Sequence, residues 1–305
     1  MNRQSLPRVL LTTSFGCLIV IGCVAKSATP APPSASVRIP TVHSVVNSVP
    51  DSGKATATNG ERKQIATDLY VRQLRADVLL VTHEFPWPGN SLVVEMANSD
   101  LVIVGSPYTP SAMADVLTWL DAHRGQRRIV AINTGYHVDN LGGNNALIER
   151  GIPVYGSDLT ARLLSERGEH TRKLVLSMLG TKPGDRYFDA HVSVPYVPPT
   201  HLFPIAQGLT LTIGSERVVA YYPGPSQAPD KVVVYFPSKR VLFGGCMILG
   251  GDRLGNTAEA DLNEWSRAMR KLGQFEVSIV VPGHGDRMDP GLIQHTVDVL
   301  AGGKK

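Results

Sequence analysis

The sequence predicts an α/β fold of four layers, a single domain in which two β-sheets pack together with helices on their outer faces. Three observations carry this expectation. Short apolar runs of strand length alternate with amphipathic stretches of helix length, in the order many strands, helices, many strands, then a helix, a strand and a helix. The chain has 305 residues, of which 43% are hydrophobic and 18% charged, enough to bury a large core and too little charge for a disordered chain. Three cysteines in that length exclude a disulfide scaffold, so packing must hold the core together.

Taken in order, the chain opens on Arg3 and Arg8, followed by an apolar stretch at 9–22 that Thr12, Thr13 and Ser14 interrupt. A membrane-spanning helix needs about 20 apolar residues, so residues 1–22 are expected to be an export signal. The stretch ends Val20-Ile21-Gly22-Cys23, which resembles the bacterial lipobox. That resemblance implies a lipoprotein signal peptide, lipidation of Cys23, and a mature protein anchored to a bacterial membrane by lipid without spanning it. The expected location is the periplasm, on the outer membrane. Residues 23–62 are rich in Ala, Ser, Thr, Pro and Val without helical or alternating period, and are expected to be a flexible tether with a reach of roughly 35 Å. Without Arg3 and Arg8 the chain carries 28 Lys+Arg against 26 Asp+Glu. That balance leaves no electrostatic footprint for nucleic acid.

The folded part is expected to be 63–305. Its predicted strands are 68–73, 78–83, 91–96, 101–104, 129–133, 209–213, 218–222, 232–236, 241–243 and 277–281. A helix is expected from Thr109, a candidate N-cap followed by Pro110, with Met113, Val116, Leu117 and Leu120 on one stripe. Another is expected from about Ala258, where Leu262, Trp265, Met269 and Leu272 recur at spacings of three, four and three. Further helices are expected at 143–150, 158–167 and 291–300.

Three segments expected to be loops, each following a predicted strand, carry the chemistry. In NTGYHVDNLGG at 133–143, His137 and Asp139 are two apart and point the same way in extended chain. FGGCMI at 243–248 holds Cys246, and VPGHGD at 281–286 exposes His284 between two glycines. Alone, each has an ordinary reading: solvated polar residues, a small core cysteine, a turn histidine. Together, Asp, Cys and His at three strand ends, with no disulfide partner for the thiol, favour a zinc site.

From about residue 66 to the C-terminus the chain resembles the class B metallo-β-lactamases. The resemblance rests on NTGYHVDNLGG, ALIERGIPVYGSDLTARLL at 146–164, PPTHLF at 198–203, YYPGPSQAPDKVVVYFPSKRVLFGGCMI at 221–248, LGN at 254–256 and VPGHG at 281–285. It implies an αββα sandwich with the site at the sheet edges and two adjacent metal positions. The Asp-Cys-His position is complete as Asp139, Cys246 and His284. The three-histidine position is not: Gly135 stands at its first histidine, His137 at its second and Gln227 at its third. One tight zinc is therefore expected, not two.

VGSPYTP at 104–110 and INTGYHVD at 132–139 are most similar to the mono-zinc subclass that hydrolyses carbapenems. Where the family has a lysine for the substrate carboxylate this chain has Leu249, a charge that Arg253 nearby would supply, and Asn256 matches the family's other substrate contact. The activity implied is hydrolysis of a β-lactam amide, carbapenems first, in antibiotic resistance. His137 would serve as general base on a water that it orients with Asp139, and Gln227 would hydrogen-bond the substrate carbonyl. The expected partners are a small β-lactam molecule and, through lipid, a membrane; the protein is expected to be a monomer. Two other readings stay open: a hydrolase of esters, lactones or thioesters on the same fold, and a zinc-binding relative that has lost turnover. His43, His83, His123, His170 and His295 are expected to be surface or structural histidines, and a ligand role for His191 or His201 is not expected. Phe85-Pro86-Trp87-Pro88-Gly89 is expected to form an aromatic turn at the place of the family's substrate-covering loop.

Overall fold

Alternate residues along single strands belong to different cores, and this defines the layers. The computed structural model describes residues 60–180 and 182–302; the expected signal peptide, Cys23, and the tether up to residue 59 lie outside the described residues. The first sheet holds eight strands in sequence order: β1 (Arg62–Ala66), β2 (Leu69–Arg75), β3 (Val78–Glu84), β4 (Pro88–Glu95), β5 (Leu101–Val104), β6 (Ile129–Ile132), β7 (Val154–Ser157) and β8 (His201–Phe203). The second holds β9 (Leu209–Ile213), β10 (Glu216–Tyr221), β11 (Val233–Phe236), β12 (Val241–Leu249) and β13 (Ile279–His284), in the order β13-β12-β11-β10-β9.

On β5, Val102 and Val104 join a cluster that also takes Val234, Phe236, Phe243 and Val281 from the second sheet. Their neighbours Leu101 and Ile103 point the other way, against Met113, Val116, Leu117 and Leu120 of α1 (Pro110–Arg124). On the second sheet Val280, between Ile279 and Val281 of the inner core, packs with Trp265, Met269 and Leu292. These come from α6 (Leu262–Lys271) and α7 (Leu292–Gly302). The period of two thus builds helix, sheet, sheet and helix. Because both faces of each central strand are covered, runs such as LVIV and IVAI are apolar throughout.

The start of α1 is as expected, and several other boundaries differ. Pro110 opens α1 and Thr109 caps it, its side chain accepting from the Ala112 N–H at 3.2 Å. The helix expected from Ala258 begins instead at Leu262, because Asp261 is the cap, its carboxylate accepting from the Glu264 N–H at 3.0 Å. The helix expected over 158–167 is α4 (Asp158–Leu179) and continues to the left-handed Gly180. Strand β1 begins at Arg62, inside the segment assigned to the tether. Strands β1, β7 and β8 and the short helices α2 (Val138–Leu141) and α5 (Arg186–Ser193) were not expected; α3 (Asn144–Glu149) lies within the predicted 143–150. The loop placed at 243–248 is the middle of the nine-residue β12, and His284 is the last residue of β13. No helix among the described residues is long and apolar enough to cross a membrane.

Candidate functional site

Asp139, Cys246 and His284 meet at one end of the sandwich because three separately built segments are locked together there. The 133–143 segment is held by buried amides. Asn133 donates to the Asn140 carbonyl at 2.9 Å and to the Asn144 side chain at 3.0 Å. Asn144 donates back to Asn133 at 2.8 Å and on to the Val197 carbonyl at 2.9 Å. Gly142 allows close approach, since a β-carbon there would lie 2.1 Å from the Tyr108 carbonyl oxygen. Strands β12 and β13 run parallel with a register shift between Gly245 and Leu249, and Gly283 rests against the Cys246 backbone.

The three donor atoms lie within 4.8 Å of one another. The Cys246 thiol donates to Asp139 Oδ2 at 2.7 Å, His284 Nε2 is 3.2 Å from the same oxygen, and Sγ is 3.6 Å from Nε2. The other ring nitrogen of His284 donates to the Pro88 carbonyl at 2.6 Å. This bond fixes the tautomer and aims Nε2 into the cluster, as supporting hydrogen bonds do for metal-binding imidazoles. Asn140, buried, donates to Asp139 Oδ1 at 2.8 Å and lies 3.8 Å from Sγ. Burial alone would raise the Asp139 carboxyl, but the His284 hydrogen bond and the charges of Lys231, His284 and His137 hold it well below the usual carboxylate range. An oxygen from α2, a sulfur from the middle of β12 and a nitrogen from the end of β13 fit a zinc ion.

A cavity of about 690 Å³ opens over this cluster, and every residue given a catalytic, metal-binding or substrate role in the folded part lines it: His137, Asp139, Gln227, Cys246, Arg253, Asn256 and His284. Its walls are largely apolar, with Val138, Leu174, Val175, Met178, Ile248 and Leu249. Trp87, at the tip of the β3–β4 turn, and Pro88 close one side. Gln227 donates to the Asn256 carbonyl at 3.1 Å, which links two of the residues assigned to substrate. Arg253 is exposed at the rim. His191 is buried among Phe85 and Tyr108, and His201 is exposed beside Thr200; neither belongs to the Asp139–Cys246–His284 group.

Sequence reasoning missed Glu259. Its carboxylate takes His137 Nε2 at 2.8 Å, Arg167 at 3.1 Å and the Tyr136 hydroxyl. Burial alone would raise this carboxyl; the hydrogen bonds from His137, Tyr136 and Arg167 outweigh it and bring it down to about 2. An ionised carboxylate only accepts, so His137 Nε2 carries the proton and Nδ1 is left to take one. His137 has turned to Glu259, while Asp139 is engaged by Cys246, His284 and Asn140.

The sequence profile of the Metallo-beta-lactamase superfamily matches residues 85–284. A protein of Bacillus sp. (strain 170) named metallo-beta-lactamase type 2 is 30% identical over 217 residues, covering 70% of this chain and 73% of that protein. One of the same name from Elizabethkingia meningoseptica is 28% identical over 211 residues, 68% of this chain and 73% of the other. The solved structure of a metallo-beta-lactamase from Pontibacter korlensis superposes with a TM-score of 0.63 at 29% identity, over 76% of this chain and 99% of that one. The chain belongs to the metallo-beta-lactamase superfamily.

Proposed function

We propose that this member of the metallo-beta-lactamase superfamily is a zinc-dependent β-lactamase that opens the strained amide of carbapenems with one metal ion, as an antibiotic-resistance enzyme held by lipid at Cys23 in the periplasm, on the outer membrane. The observation that carries the reading is the convergence of Asp139, Cys246 and His284 within 4.8 Å on the floor of a substrate-sized cavity. Those three residues would hold the ion, which when bound supplies positive charge to stabilise the negative charge that develops on the departing ring nitrogen.

The remaining work falls to side chains. His137, oriented by Glu259, takes a proton from the attacking water through Nδ1 as oxygen bonds to the carbonyl carbon. The C–N bond then breaks, and a proton passes to the leaving nitrogen. Gln227, tied to the Asn256 backbone, offers its second amide N–H to the carbonyl oxygen, and Arg253 at the rim attracts the substrate carboxylate. Trp87 and the apolar wall around Ile248 and Leu249 limit the water that reaches the reacting atoms.

The test is hydrolysis of a carbapenem, a penicillin and a cephalosporin by protein lacking residues 1–23 and loaded with one equivalent of zinc, with Cys246→Ala as blank. Carbapenem turnover that is lost in the blank and does not rise with excess zinc supports the reading. Zinc binding without turnover of any of the three defeats it. A second reading has an observation of its own: Leu249, with Leu174, Val175 and Met178, gives a largely apolar cavity. Such a cavity suits a neutral ester, lactone or thioester better than a carboxylate-bearing ring, and an acyl ester tested beside the lactams distinguishes the two.

A further inference from the structure

Between β10 and β11 the chain buries four polar side chains that each leave an atom without a hydrogen-bond partner: Ser226 Oγ, Gln227 Oε1, Asp230 Oδ1 and Lys231 Nζ. Lys231 is the cation among them and is only 1% exposed. An ammonium taken out of water without hydrogen bonds is costly unless nearby negative groups offset the loss. Burial alone would lower its proton affinity; Cys246 in its thiolate form, with Asp139, Asp230 and Glu259, outweighs this and raises it. Two of these four are members of the Asp139–Cys246–His284 cluster. The attraction is mutual, for the Lys231 charge helps to hold Asp139 ionised.

Residue 135 supplies the steric half of the argument. A β-carbon built on Gly135 would lie 2.7 Å from Lys231 Nζ and 2.8 Å from its Cδ. The lysine side chain thus fills the space that a side chain at 135 would enter, and it brings a positive charge there. Of the neighbouring side chains, His137 gives Nε2 to Glu259 and Gln227 gives its amide N–H to the Asn256 carbonyl, which leaves one imidazole nitrogen and one neutral oxygen, too few ligands to hold a second ion against a resident ammonium.

We propose that the Lys231 ammonium is a resident cation beside the Asp139–Cys246–His284 centre, occupying the volume and the negative field that a second divalent ion would need. The proposal rests on the reading of that centre as a metal site. It makes the one-metal state a consequence of a side chain present, and not only of ligands lost. It also makes Gly135 and Lys231 a matched pair, neither of which can be replaced by a larger ligand-bearing residue without the other yielding.

The experiment counts zinc per chain by elemental analysis after equilibrium dialysis against buffered zinc. It compares the native chain, Gly135→His with Gln227→His, and the same pair with Lys231→Ala. The expected counts are one, one and two. A second zinc in the double variant, with Lys231 in place, overturns the proposal, as does a triple variant that takes no more zinc than the double. A native count of zero defeats the metal reading of Asp139, Cys246 and His284 instead, while the difference between double and triple variants still decides the role of Lys231. Should the triple variant fail to fold, Lys231→Met keeps the length and removes the charge. Its zinc dissociation constant is expected to fall on the order of tenfold as the repulsion disappears, and an unchanged or weaker affinity overturns the proposal.

Discussion

His137 Nε2 lies 2.8 Å from Glu259 Oε2, across 122 residues of chain. Tyr136 and Arg167 hold the same carboxylate in place. Replacing Glu259 by Gln keeps the size, but it removes the charge and sets an amide donor where three donors already converge. Glu259→Gln is therefore expected to lower kcat by about 10- to 100-fold with KM nearly unchanged. Steady-state kinetics beside a melting curve checks this, since a purely structural role would lower the melting temperature and leave kcat of the folded fraction intact.

Cys246 gives a direct report on metal occupancy. It is mostly buried yet lines the cavity, and protein lacking residues 1–23 has no other thiol. A thiolate bound to metal is shielded from electrophiles. Zinc-loaded protein is expected to resist iodoacetamide, to react once zinc is chelated, and to lose protection in His284→Ala. Equal labelling before and after chelation would remove Cys246 from the metal site.

Gly283 sets the distance between β12 and β13. A β-carbon there would lie 2.6 Å from the Cys246 nitrogen and 2.6 Å from the Gly245 carbonyl carbon, backbone atoms that cannot rotate aside. Gly283→Ala must push the strands apart, at a cost of about 1–3 kcal/mol, and must separate His284 from Cys246. Zinc affinity is expected to fall at least tenfold, on the order of a lost supporting contact. Gly273→Ala, whose β-carbon meets nothing within 4 Å, serves as the control; a parallel loss there would mean that the strand spacing does not set the affinity.

The layers were legible because strands buried on both faces leave an unmistakable apolar run, as in 101–104 and 129–132. Cys246 was expected on a loop because the strand before it was ended at 243, ahead of Gly244-Gly245. The pair instead allows a bend inside a long strand, with Gly245 at φ +53. Strands β7 and β8, of four and three residues, are too short for a period to register. Glu259 and Lys231 were missed for a different reason. A single charge outside any motif has the local signature of a solvated residue, and only the packing of the 222–232 segment and of the chain ahead of α6 against 133–143 makes one a buried cation and the other a support for His137.

His83 carries a pH dependence of its own. It lies on β3, 3% exposed, and stacks on Phe85 with ring centroids 4.8 Å apart. Its Nδ1 accepts from the Tyr108 N–H at 3.2 Å, so a proton at that nitrogen would face another donor. Burial, then the charges of His191 and Arg186, push its pKa down to about 4, against about 6.5 in an unfolded chain. Between those values the unfolded chain binds more protons, so stability rises with pH. The contribution of neutral His83 is complete above about pH 6.5, declines as pH falls toward 4, and amounts to about 3 kcal/mol. Urea midpoints at pH 8, 6.5, 5 and 4 should fall steeply over the lower three points for the native chain. They should fall less for His83→Asn, whose side-chain oxygen can still accept from Tyr108, the remaining slope coming from His191 and other groups. Parallel curves for the two proteins would mean that His83 is not held neutral by its surroundings.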